Sequence, residues 1–123
     1  MPTDEIRPSQ WREFFDTFSR AHEGWLVTIE VFGPLGAQEE ARELPLVGVT
    51  AEEPSHGSSI SIVVGEGDRI LTHAVGEPAR VWLERTQEGA DAAVEIESKT
   101  GEKTLLRFRS AVLPELVDGV LPR

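Results

Sequence analysis

The chain has 123 residues, with 22 acidic side chains against 12 basic ones and a formal net charge of −10. That length suits one domain, long enough to bury roughly two thirds of its unfolded surface without metal or disulfide staples. The charge argues against nucleic acid, whose backbone is gripped by Lys and Arg, and the absence of cysteine removes disulfides, thiolate metal sites and cysteine nucleophiles.

Residues Met1 to Pro8 are polar and read as a disordered lead-in, with no basic and apolar pattern of a secretory signal. Ser9 then suits an N-cap. Trp11, Phe14, Phe15, Phe18 and Ala21 follow at the spacing of one helical face, and Gly24 supplies a left-handed stop. Such an aromatic stripe must be buried, and the sheet that follows is its expected cover.

Trp25 to Phe32 reads as a strand with Trp25, Val27, Ile29 and Val31 inward. Gln38 to Glu53 is a long extended stretch containing Pro45. Proline cannot donate to a ladder, so the stretch is expected to be an edge strand or to bend at a bulge near Pro45. Ser59 to Val64 alternates with Ile60, Ile62 and Val64 on one face. Ile70 to Val75 and Ala79 to Arg85 are shorter strands, parted by Gly76-Glu77-Pro78.

Ala92 to Arg109 is a hairpin whose register can be worked out. A three-residue loop, Lys99 to Gly101, sets Glu97 opposite Lys103, Ile96 opposite Thr104, Val94 opposite Leu106 and Ala92 opposite Phe108. Gly101 then takes the loop position that needs positive φ. After Ser110 the pattern has no clean period and predicts a short coil. The fold class is therefore mainly β (α+β). An N-terminal amphipathic helix precedes a six- or seven-stranded antiparallel meander, either a bent sheet or a small SH3-like or Sm-like barrel. Residues 9–123 form that single domain.

No cofactor motif, catalytic set or metal-ligand spacing stands out. His22 ends the helix, where the dipole favours a charged imidazole. His56 lies in a Ser-Gly turn and His73 in mid-strand. Glu66 and Asp68 give a Gly-rich turn too few ligands for calcium. Trp82 alternates with Val81 and Leu83, so it belongs on the outer face beside Arg80 and Glu84, the composition of a protein-contact hot spot.

Trp11 to Asp16, Gly24-Trp25-Leu26-Val27, Leu44-Pro45-Leu46, Glu95 to Ser98, Thr104 to Ser110 and Leu113-Pro114-Glu115 together resemble an uncharacterised family of short bacterial proteins, domain of unknown function 5335. The resemblance implies a free-standing domain and carries no activity. The helix-plus-barrel outline is also similar to Sm-like ring proteins that bind RNA, but no Sm motif is present.

The leading expectation is a cytoplasmic, non-enzymatic domain acting by protein contact through self-association as a homo-oligomer, or with another protein partner. No membrane association and no cofactor are expected. Its candidate surface is Trp82, Arg80, Glu84 and the edge near Pro45. The alternative is a small-molecule-binding barrel with His73, Arg42 and Arg107 lining an opening, which a solid core of Val27, Ile29, Ile62, Val94 and Phe108 would exclude.

Overall fold

The computed structural model describes residues 3–52 and 58–112, with side chains as far as Arg109. Strand β1 (Thr3–Ile6) leads through a 3₁₀ turn at Pro8–Gln10 into helix α1 (Trp11–His22). Seven strands follow: β2 (Leu26–Gly33), β3 (Gly36–Glu52), β4 (Ser59–Glu66), β5 (Arg69–Gly76), β6 (Pro78–Arg85), β7 (Asp91–Ser98) and β8 (Lys103–Val112). They form one antiparallel sheet in the order β1-β6-β7-β8-β2-β3-β4-β5, which does not close into a barrel. Of the two architectures the sequence allows, the bent sheet is the one adopted.

The β7–β8 hairpin forms as its turn chemistry dictates. Gly101 has φ +93° and donates its N–H to Ser98 O at 3.0 Å. Glu97 faces Lys103, Ile96 faces Thr104 and Val94 faces Leu106. The ladder breaks after Ala93–Arg107, so Ala92 does not pair with Phe108. Phe108 instead stacks on Phe18 of α1, with ring centroids 5.7 Å apart. Aromatic packing against the helix overrides the register at this end.

Helix α1 buries Trp11, Phe15, Phe18 and His22, one stripe at spacings of four, three and four residues. Ala21, expected on that stripe, is exposed and His22 takes its place. The N-cap is Gln10 rather than Ser9, because Pro8 starts a 3₁₀ turn that absorbs Ser9. Gly24, at φ +87°, ends the helix and donates to Leu46 O at 2.8 Å. Trp25, just outside β2, is half-buried and packs inward against the core as expected, its ring 5.3 Å from that of Phe108.

Three further expectations need correction. Residues 3–6 are not a disordered lead-in. They pair with β6, and the Trp11 indole donates to Ile6 O at 2.9 Å. This added strand raises the count to eight. Of the two readings of the stretch around Pro45, the bulge holds and the edge does not, because β3 lies between β2 and β4. The missing proline N–H is accommodated by bending, with register shifts on β3 both before and after Pro45. The backbone also stays extended past Ser110, where coil was expected. The turn around His56 and the tail beyond residue 112 lie outside the described residues.

Past Pro45, β3 runs beyond the reach of β2, and α1 covers its side. The Ser19 hydroxyl accepts from Val49 N–H at 2.8 Å and donates to Val49 O at 3.0 Å, replacing a ladder partner. Beneath the helix the inner face is filled. Val27, Ile29, Ile62 and Val94 are fully buried and Phe108 is nearly so. Among the described residues no helix is long and apolar enough to cross a membrane.

Candidate functional site

Strand β5 is one of the two ends of the sheet. It leaves β4 through a two-residue turn, Gly67-Asp68, with Glu66 paired to Arg69 and Gly67 at φ +64°. In such a hairpin the flanking pair exchanges both hydrogen bonds, and the pattern then alternates along the strand. The backbone groups of Arg69, Leu71, His73 and Val75 therefore point to β4. Those of Ile70, Thr72 and Ala74 point away, toward an edge with no further strand among the described residues.

That edge carries the marks of a contact surface. Ile70 is 51% exposed and Leu71 36%. From Ile70 to Gly76 the strand has no proline and no formal charge apart from what His73 can carry. The opposite edge, β1, is only four residues long and carries Asp4 and Glu5, devices that discourage pairing. Arg69 begins β5 and Glu77 follows it, and neither has an ion-pair partner among the described residues.

The outer face around Trp82 is the second surface. Val81 and Leu83 are buried, so Trp82 projects outward, where it is half-buried. The registers put Glu5 opposite it on β1 and Glu95 opposite it on β7. Arg80 and Glu84 share its face along β6, and Leu105 continues the row beside Glu95. Burial pushes the Glu95 carboxyl up, against the charge of Lys103, with Glu84 and Glu97 adding to the rise. Pro45, the remaining candidate contact residue, is half-buried inside the sheet and belongs to neither surface.

The three candidate ligand-lining residues do not meet. Arg42 and Arg107 share an open cleft of about 520 Å³ with Thr28, Glu39, Glu43, Phe108 and Arg109. Every arginine there is already paired: Arg42 with Glu39 at 3.2 Å, Arg107 with Glu30 at 3.4 Å and Arg109 with Glu43 at 3.2 Å. Exposed pairs of this kind shape a surface and contribute little energy. His73 lies elsewhere, on β5, with Nε2 3.3 Å from the Thr104 hydroxyl across the sheet's curve.

His22 is the residue that the sequence reading placed least well. It is 4% exposed, and its ring is enclosed by Phe18, Phe108 and Trp25 at centroid distances of 4.6, 4.7 and 4.8 Å. Nδ1 donates to Phe18 O at 2.9 Å, and Nε2 lies 3.3 Å from Asp91 Oδ2. Both ring nitrogens are engaged and the ring is closed to solvent, so the pair is a structural clasp between α1 and β7. Among the described residues no group of three or more His, Asp or Glu could hold a metal ion.

No curated protein and no solved structure matches the chain. Its sequence does match a family along nearly its whole length, residues 2–115, and the chain accordingly belongs to the family of unknown function DUF5335.

Proposed function

We propose that this domain works by protein contact, and that the contact is self-association through β5. The observation that carries this reading is the edge of β5, eight residues long, with Ile70 and Leu71 exposed beside backbone groups that have no strand to pair with among the described residues. Long, uncharged edges recruit further strands unless they are blocked. The notion of a ligand-binding barrel loses support, because the inner face is packed with side chains and the sheet is open.

Sedimentation velocity at rising concentration tests the proposal. Wild-type protein is expected to sediment as a species of twice 13.6 kDa at high micromolar concentration. Ile70→Lys, which places a charge on a half-exposed edge position, is expected to sediment as the monomer with an unchanged circular dichroism spectrum. A wild-type monomer at every concentration would overturn the reading.

A second reading has its own observation. Trp82 lies between Glu5 and Glu95, a face suited to an Arg or Lys side chain of another protein. Trp82 fluorescence should respond to an arginine-rich peptide in the wild type and not in Trp82→Phe.

A further inference from the structure

We infer that the cleft between β3 and β8 binds a phosphate group of a small soluble molecule, gripped by Arg42, Arg107 and Arg109 above the Thr28 hydroxyl. Thr28 lies between the inward-facing Val27 and Ile29, which puts the cleft on the outer face of the sheet, independent of β5 and of self-association. The cleft inverts the sign of the chain. Its charged lining is three arginines against the carboxylates of Glu39 and Glu43, in a protein whose formal net charge is −10. Glu30, which pairs with Arg107, is not among the lining residues.

A bulge builds the floor. Val27 pairs with Leu44 and Ile29 with Ala41, so Arg42 and Glu43 of β3 together face Thr28 of β2. On the other side of β2, Thr28 faces Arg107 of β8. Bulges re-aim side chains and gather beside functional sites. This one holds Glu43 at φ +48°, a left-handed conformation that strains a residue other than glycine. The Glu43 N–H donates to the Thr28 hydroxyl at 3.2 Å. Thr28 is 6% exposed, and its own O–H proton has no acceptor among the described residues. A buried donor left over on the floor of a cleft calls for an acceptor oxygen from outside the chain.

Phosphate is the group that meets these donors. β3 and β8 flank β2, so their backbones lie about 10 Å apart and arginines from both sides can close on one tetrahedral anion. A guanidinium has more N–H donors than one carboxylate can meet, so the resting pairs Arg42–Glu39 and Arg109–Glu43 leave donors free. Those pairs are exposed and weak, and a dianion can displace them. At about 520 Å³ the cleft has room for more than the phosphate itself.

Titration with inorganic phosphate and with pyrophosphate at constant ionic strength, followed by amide chemical shifts, tests the site. Saturable shifts are expected at Thr28, Glu43 and Arg107 at millimolar concentration or below. Arg107→Gln should weaken binding about tenfold, and Glu39→Gln, which removes a resting competitor, should tighten it about threefold. Thr28→Ser should bind as the wild type does and Thr28→Val should bind more weakly, while Arg69→Gln on β5 should change nothing. Shifts that do not saturate, or that persist in Arg107→Gln, mean an adventitious ion only and overturn the proposal. Co-sedimentation with vesicles of phosphatidylcholine and phosphatidic acid separates the sources of phosphate. The acidic chain should stay in solution, repelled by the anionic surface, and pelleting with the vesicles would assign the phosphate to a lipid headgroup and overturn the soluble ligand.

Discussion

His22 Nε2 lies 3.3 Å from Asp91 Oδ2, joining the last turn of α1 to the first residue of β7. Asp91 also reaches Arg85, 3.5 Å away, and Arg85 binds Asp4. One chain of charges thus ties the helix, β7, β6 and β1 together. The hydrogen bond from His22 holds the Asp91 carboxyl below the usual carboxylate range. The charges of His22 and Arg85 add to this and burial opposes it.

Asp91→Ala is expected to cost about 1–3 kcal/mol at neutral pH, since it leaves a buried histidine without its acceptor. The sign with pH follows from the lowered value. The contribution is complete above the ordinary aspartate range and is lost as pH falls through the folded-state value. Urea melts of both proteins should differ at pH 7 and converge in strong acid.

Ser19→Ala removes the hydroxyl that satisfies both backbone groups of Val49. A loss of about 1–3 kcal/mol is expected, the desolvation cost of groups left unpaired under the helix. Hydrogen exchange provides the local check: the Val49 amide should lose protection while amides of the β7–β8 ladder keep theirs.

Gly65→Ala should be among the worst small substitutions in the chain. The added Cβ would meet Arg69 O at 2.0 Å, at a φ of +118° that L residues rarely adopt. A loss of about 3 kcal/mol or more is expected from this overlap and strain together. Glu43→Gly is the contrast. Glu43 has φ +48° in the bulged part of β3, where glycine relieves strain and gives back chain entropy, so its net change should stay within about 1 kcal/mol. Thermal melts of the two variants decide.

Glu95→Gln should stabilise the protein by a few tenths of a kcal/mol at neutral pH, because it removes a charge that burial penalises first and that Glu84 and Glu97 repel, less the attraction of Lys103. The Glu95 carboxyl is raised in the folded state. Its ionisation therefore costs nothing in acid, and the cost builds as pH rises from the unfolded to the folded value. The advantage of the variant should vanish below the ordinary glutamate range.

Much of the fold was legible because local rules agreed with one another. Gly101 and the alternation on either side fixed the β7–β8 register from Glu97 to Ala93. The outward position of Trp82 followed from Val81 and Leu83. Other features depend on partners distant in the chain. Thr3 to Ile6 has no alternating pattern, and it becomes a strand through contacts with β6 and Trp11. Pro45 allowed an edge or a bulge, and bulges are what let β3 keep two neighbours. His22 was read as a structural residue at the helix end, and its burial went unread although the stripe Trp11, Phe15, Phe18 pointed to it. The open edge of β5 could not be read, because periodicity tells which face a residue takes and not which strand lies beside it.

The ladder between β2 and β8 carries a consequence for how the chain reaches this fold. β2 to β5 form one meander and β6 to β8 another, each built from neighbours in sequence. Among the described residues only the β1–β6 and β2–β8 ladders join distant segments, and the second of these sets Ile29 against Leu106. Closing so long a loop exacts its entropy before any contact returns it. The two meanders can therefore condense early and separately, with the docking of β2 on β8 as the slow step. Truncations such as Ile29→Val and Leu106→Val should therefore change both rates, as far as the β2–β8 ladder is formed in that step, whereas Ile62→Val, inside a meander condensed before it, should chiefly slow refolding and leave the unfolding rate nearly unchanged.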